Sequence, residues 1–225
     1  MNMITARGIK RCFTVGNGEP FYALKGIDLD IPEGKLAILK GRSGSGKTTL
    51  LNILSALDEA TEGQVVIEDH NLSEMSVPER EKLRRFDIGF VFQSVALIPI
   101  MNAYENVDFG LRLAEYDGNR DARIREVLEM VGLSSRMFHM PNQMSGGEQQ
   151  RVAIARAVAH KPKVIFADEP TGALDTASGL NVMKLFKDLV AKEGITIVMT
   201  THDPNLMELG DVVFEIEDGE IIGKA

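Results

Sequence analysis

Apolar and polar positions along the chain follow two rhythms that take turns, one with the period of a strand and one with the period of a helix. Ile27 to Ile31 alternates apolar with charged residues, as a half-buried strand does, and Pro32-Glu33-Gly34 then turns the chain. Leu36-Ala37-Ile38-Leu39 is a short apolar run of strand type, and a glycine-rich loop leads from it into a helix expected over about 47–57. Residues 64–68 and 88–92 read as further strands. From about 95 to 160 the strand rhythm fades, and Ile124, Val127, Leu128 and Val131 recur at the spacing of one apolar helix face. Strand signals resume at Val164 to Ala167, a helix follows over 178–192, and 195–200 is another buried strand. Near the end, 212–217 and 220–222 flank Asp218-Gly219, a hairpin dipeptide. This order predicts an α/β fold with a largely parallel sheet. It reads as a single domain over 1–225, with the α/β core at about 1–93 and 161–225 and an α-helical subdomain inserted at about 94–160.

Composition narrows the picture. With 44% hydrophobic and 26% charged residues, the 225-residue chain has material for a real core. A formal net charge of -8 lacks the basic footprint of a duplex binder, so nucleic acid is not expected as a partner. Cys12 is the only cysteine, which rules out an intrachain disulfide and fits a reducing compartment. The first residues contain Arg7, Lys10 and Arg11 with no apolar run behind them, unlike a secretory signal. No stretch approaches the roughly 18 apolar residues that a spanning helix needs. A role at a membrane is therefore expected to come through a partner.

Gly41-Arg42-Ser43-Gly44-Ser45-Gly46-Lys47-Thr48 matches G-x-x-x-x-G-K-[ST] without a mismatch, between an expected strand and an expected helix. Chance would supply about 0.01 such matches in a chain this long at ordinary residue frequencies. Glycines let backbone N–H groups turn inward around phosphate oxygens, and the helix start adds its positive dipole end. Lys47 then offers a point charge to the β- and γ-phosphates of a nucleotide, and the Thr48 hydroxyl offers a ligand to Mg²⁺. Thr49 completes the nucleotide-binding set, although the motif itself gives it no role beyond starting the helix.

Val164-Ile165-Phe166-Ala167 ends in two acids, Asp168 and Glu169. A doubly wound sheet places its ligand at the carboxyl ends of its strands, so both acids are expected to face the phosphates. Asp168 suits the Mg²⁺ shell, and Glu169 suits the orientation and polarisation of an attacking water.

Met144-Ser145-Gly146-Gly147-Glu148 resembles the signature motif of the ABC ATPases, usually Leu-Ser-Gly-Gly-Gln, with Met for Leu and Glu for Gln. Ser145 with Glu148 is also a helix capping box, and a capped helix start is compatible with an anion site. Other positions agree with the resemblance. Gln93 is similar to the Q-loop glutamine, a contact to Mg²⁺ and water; Ala173-Leu174-Asp175 resembles the D-loop; His202 resembles the switch histidine that touches the γ-phosphate. Phe13 matches the aromatic that stacks on adenine, a position more often Tyr, with Tyr22 as the competing candidate.

The resemblance covers essentially the whole chain. Three stretches, starting at Ser45, Gly89 and Ala167, resemble the macrolide-export and lipoprotein-release group, with cell-division and antimicrobial-peptide-resistance ATPases as near relatives. It implies a P-loop NTPase with ATP and Mg²⁺ as cofactors. It implies two copies packed head to tail, each ATP lying between the phosphate loop of one and Ser145, Gly146, Gly147 and Glu148 of the other, with Asp175 and His202 in the nucleotide set. The partner it implies is an integral membrane permease that holds the subunit at the cytoplasmic face of the membrane; residues 95–109 are apolar enough to line the groove that receives it, with core packing expected to account for more than half of those side chains. A soluble ABC ATPase of DNA repair or of the ribosome is the competing reading. Against it stand the lack of a coiled-coil insertion and the presence of one phosphate loop, not two.

Overall fold

The computed structural model describes residues 1–16 and 18–224. Its first strands, β1 (Asn2–Val15) and β2 (Glu19–Pro32), pair antiparallel. Ile27, Leu29 and Ile31 point inward as their alternation predicts, but both strands run well beyond that stretch. The sequence does not announce β1, because irregularities at Ala6/Ile9 and Arg11/Cys12 break its two-residue period. β3 (Leu36–Lys40) leads through the glycine-rich loop into α1 (Lys47–Leu54). β4 (Glu62–Ile67) pairs with β1, and β5 (His70–Asn71) closes a four-stranded antiparallel sheet of order β2-β1-β4-β5.

α2 (Val77–Phe86) follows, a helix that periodicity does not reveal because Leu83 is its one buried side chain. Its signal is the capping box of Ser76 and Glu79, with proline in the first turn. After β6 (Ile88–Val91) the chain is helical: α3 (Ala103–Leu113), α4 (Arg120–Met130) and α5 (Gly146–Val158) precede β7 (Val164–Ala167). α6 (Thr176–Glu193), β8 (Thr196–Thr201), the short α7 (Pro204–Met207), β9 (Val212–Glu217) and β10 (Glu220–Lys224) complete the order.

The second sheet has the order β10-β9-β3-β8-β7-β6. β3 pairs parallel with β8 and β9, and β7 pairs parallel with β8 and β6. Only β10 returns antiparallel, through Asp218 and Gly219 at φ 47° and 81°, the primed turn that this dipeptide favours.

α1 lies between the two sheets. Leu50, Ile53 and Leu54 pack with Ile9, Leu24 and Ile27 of the small sheet and with Leu39, Phe166 and Val198 of the large one. The other face of the large sheet, through Ile38, Ile165, Ile197 and Met199, joins one apolar cluster with Val107, Ile124, Val127, Val152 and Phe186 of the helices. The helical interval is thus packed directly on the sheet. A Cβ at Gly89 of β6 would collide with the Ala157 carbonyl of α5. The parallel strands β3, β6, β7 and β8 end along one edge, at Lys40, Val91, Ala167 and Thr201. The loops that leave these ends carry the residues of interest, as in other doubly wound sheets.

Candidate functional site

The loop 41–46 is shaped by close approach. Gly46 caps α1 at φ 104°, where a β-carbon would be strained and would meet the Ala23 carbonyl at 2.8 Å. A β-carbon on Gly41 would collide with the Ile216 carbonyl of β9. No side chain caps α1, so the N–H groups of its first turn are left for a ligand. Lys47 is buried, and its Nζ donates to the carbonyls of Gly41 and Arg42, each at 2.9 Å, which fixes the ammonium under the loop. Ser45 Oγ is buried with no hydrogen-bond partner among the described residues, an orphan that a phosphate oxygen would satisfy. Thr49 is half-buried in the first turn of α1.

Beside the loop, the Thr48 hydroxyl donates to Asp168 Oδ1 at 3.0 Å and joins the start of α1 to the end of β7. A hydroxyl and a carboxylate are the hard oxygen donors that suit Mg²⁺, which commonly fills its other positions with water and phosphate. Glu169 adopts φ 41°, the left-handed region that a side-chain-bearing residue enters only when its surroundings hold it there. Its carboxylate lies between two of the expected residues. Gln93 Nε2 donates to Oε2 at 3.4 Å, and His202 Nδ1 stands 3.3 Å from Oε1. Thr200, to which sequence reasoning gives no role, bonds both acids: its Oγ1 donates to Asp168 Oδ1 at 2.7 Å and accepts from the Glu169 N–H at 2.8 Å. A lone hydroxyl in a strand is no motif; the only hint was its place just before Thr201 and His202.

A cavity of about 880 Å³ opens over the loop. Gly41, Ser43, Gly44, Ser45, Glu169 and His202 line it, with Arg42 and Glu215 adding charge of both signs. Phe13 is not in its wall. It stands on β1 opposite Phe21, partly exposed, with the Arg11 guanidinium 4.6 Å from its ring centre. Tyr22 pairs with Cys12, the neighbour of Phe13, so it belongs to the other face of that hairpin.

Ser145, Gly146, Gly147 and Glu148 also lie outside this cavity wall. Ser145 caps α5, accepting from the Glu148 N–H at 3.3 Å while Glu148 Oε2 accepts from the Ser145 N–H at 2.8 Å. That backbone bond, with help from the Ser145 hydroxyl and the Arg136 guanidinium, holds the Glu148 carboxyl below its ordinary value. Gly147 lets Ser178 of α6 approach, since a β-carbon there would lie 3.2 Å from Ser178 Oγ. Asp175 caps α6, accepting from the Ser178 hydroxyl at 2.6 Å and its N–H at 3.0 Å, and these bonds lower its pKa. The structure therefore gathers one group of residues around Lys47 and a second around Ser145, which Asp175 joins through Ser178.

The family model described as ABC transporter matches residues 24–172. An uncharacterized ABC transporter ATP-binding protein of Methanocaldococcus jannaschii, MJ1508, is 47% identical over 221 residues, covering 98% of both chains. The macrolide export ATP-binding/permease protein MacB of Agrobacterium fabrum is 44% identical over 98% of this chain, which spans 34% of MacB. The dimeric post-hydrolysis structure of the ATP-binding cassette MJ0796, bound to ADP and Pi, matches with a TM-score of 0.90 at 42% identity, over 99% of this chain and 98% of that one. The chain belongs to the ABC transporter family, as an ATP-binding subunit that hydrolyses ATP. Its fold is that of the ABC-type P-loop ATPases.

Proposed function

We propose that two copies of this chain close head to tail around two ATP molecules and so drive a separate integral membrane permease of the macrolide-export or lipoprotein-release type. The observation that carries this reading is the separation of two half-sites. Ser145 and Glu148 bond each other, Glu148 also pairs with Arg136, and among the described residues neither bonds any residue of the loop 41–48. One phosphate loop and one signature motif per chain then require a second copy to complete each site. The MJ0796 cassette, 43% identical to this chain, has a dimeric structure, which supports the pairing of two copies.

In this reading Lys47 places its charge on the β- and γ-phosphates, and the open N–H groups of α1 bind phosphate oxygens. Thr48, Asp168 and Gln93 would hold Mg²⁺, which neutralises charge on the phosphates. Glu169 accepts a proton from the attacking water, while Gln93 and His202 orient its carboxylate. Phe13 stacks on adenine. Ser145, Gly146, Gly147 and Glu148 of one copy close on the γ-phosphate held by the other, with Asp175 at the seam. The segment 94–160 acts as the subdomain that carries the signature between open and closed states.

A groove of about 470 Å³ is the permease's seat, lined by Leu57, Arg84, Phe90, Phe92, Phe109 and Leu113 among others. Of 95–109, Phe109 lies in its wall, and other side chains of the segment serve packing. Ala103 and Val107 belong to the core, and Asn106 is buried, its amide donating to the carbonyls of Ile98, Met101 and Asn102. Among the described residues no helix is long and apolar enough to cross a membrane, so attachment at the cytoplasmic face would run through this groove.

The test is complementation in a mixture. Lys47→Ala and Ser145→Arg chains should each be inactive alone, and mixing them should restore turnover, since a mixed dimer keeps one intact site. A mixture as dead as its parts would reject shared sites. Affinity purification from membranes should recover a permease with few spanning helices and a large extracytoplasmic domain. Recovery of a many-helix importer alone would reject the permease class.

A further inference from the structure

β8 is buried along its whole length, yet three of its six residues are threonines. Valine would fill the same space, so each buried hydroxyl calls for partners. Thr196 accepts from the Gly34 N–H at 2.9 Å, and Thr201 accepts from the Asp203 N–H at 3.1 Å; both brace neighbouring turns. Thr200 differs, because both of its bonds go to the acid pair.

The register explains how. Ala167 of β7 pairs with Met199 of β8, so the next residues along, Asp168 and Thr200, lie side by side. Thr200 Oγ1 donates to Asp168 Oδ1 at 2.7 Å. From α1 the Thr48 hydroxyl reaches the same carboxylate, at 3.0 Å to Oδ1 and 3.2 Å to Oδ2. Asp168 is thus clamped between two hydroxyls on different elements. The lone pair of Thr200 takes the Glu169 N–H at 2.8 Å, at the residue whose φ is 41°. That bond is one of the contacts that fix Glu169 in the left-handed region, which a residue with a side chain keeps only where its surroundings over-determine it.

We propose that Thr200 is a positioning residue for ATP hydrolysis. Its single buried hydroxyl sets the Asp168 carboxylate and the Glu169 backbone relative to each other, so that the metal-holding acid and the proton-accepting acid share one frame. This rests on the roles given above to Asp168 and Glu169 and goes beyond them. Thr200 is fully buried and both of its hydroxyl bonds go to the acid pair, so it acts through the two acids and not on the nucleotide.

The experiment compares Thr200→Val, which keeps the shape and removes the hydroxyl, with Thr200→Ser, which keeps the hydroxyl, and with Asp168→Asn. Three quantities are measured on the purified chain: ATP affinity at graded Mg²⁺ and in EDTA, kcat, and the melting temperature without nucleotide. Thr200→Val should raise the Mg²⁺ needed for half-maximal ATP binding and lower kcat, each by about 10–100-fold, as loss of a partner to a ligating carboxylate does. Affinity in EDTA should stay as in the wild type, and Thr200→Ser should restore both losses. Should the valine variant fail to fold, Thr200→Ala is read in the same way. Wild-type Mg²⁺ dependence and kcat in Thr200→Val would overturn the proposal, as would equal losses with and without Mg²⁺ that serine does not restore. If Asp168→Asn leaves Mg²⁺ dependence unchanged, the assignment of Asp168 falls instead. A shift in Asp168→Asn with none in Thr200→Val sinks only Thr200.

Discussion

His202 Nδ1 stands 3.3 Å from Oε1 of Glu169, across the gap between the ends of neighbouring strands β8 and β7. The contact arises because parallel strands deliver their following loops to the same edge. It leaves the Glu169 carboxylate oriented from both sides, with Gln93 on the other oxygen.

Glu169→Gln keeps the side-chain shape and its place between Gln93 and His202 but removes the base. Hydrolysis should fall by about 10²–10⁴-fold, the usual worth of a general base. ATP binding should persist, and the chain should accumulate as a closed dimer in ATP. Asp168→Asn should instead weaken closure, because it disturbs the metal-holding group. Light scattering with ATP and with ADP separates the two. A Glu169→Gln chain that stays monomeric in ATP, or turns over like wild type, removes Glu169 from this role.

Lys47→Ala deletes a charge that the fold holds under the loop by two carbonyl contacts. Both ATP affinity and turnover should drop steeply, and equilibrium binding with a fluorescent ATP analogue measures the first directly. Wild-type turnover in this variant is the result that the assignment of the loop could not survive.

Specific ATPase activity should rise with protein concentration, because each complete site draws Ser145 to Glu148 from a second copy. The dilution series should be steepest below the dimer dissociation constant. A flat series through that range contradicts shared sites.

His160 gives a dependence on pH. Burial chiefly pushes its imidazole below the ordinary 6.5, with Arg123 adding to the effect and with the Ile88 carbonyl, 3.2 Å from Nε2, and Asp87 opposing it. The folded chain therefore holds this proton less readily than the unfolded chain. The neutral ring's contribution to stability is complete above the unfolded value and is lost as pH falls through the folded one. Melting temperature should decline on acidification below about pH 6.5, and the decline should be shallower in His160→Asn. Equal slopes for the two chains would show that His160 is not the group responsible.

What the sequence made legible was what depends on neighbours in the chain. The loop 41–48, the acids after β7, the Asp218-Gly219 turn and the capping box at Ser145 are all written in consecutive residues. The apolar periods of α4 and β8 were equally local. The irregular β1, the polar α2 and the groove beside Phe90 and Phe109 were not legible, because each takes its form from residues far away in sequence. The same holds for Thr200, whose hydroxyl gains meaning only when the β7–β8 register sets it beside Asp168. Sequence reading prefers Phe13 to Tyr22 as the adenine contact, and only the β1–β2 register, Phe13 opposite Phe21 and Cys12 opposite Tyr22, sets the two rings on different faces.

The glycine-rich loop leans on the far end of the chain. Gly219 donates its N–H to the Ser45 carbonyl at 3.0 Å and accepts from the Lys25 N–H at 2.9 Å, while the Ile216 carbonyl crowds Gly41. During translation, then, residues 41–48 emerge long before the strand and turn that brace them. Without Gly219 and Ile216 in place, the loop lacks the contacts that shape it. The phosphate cradle is thus a joint product of the loop and of residues 216–219, about 170 positions further along.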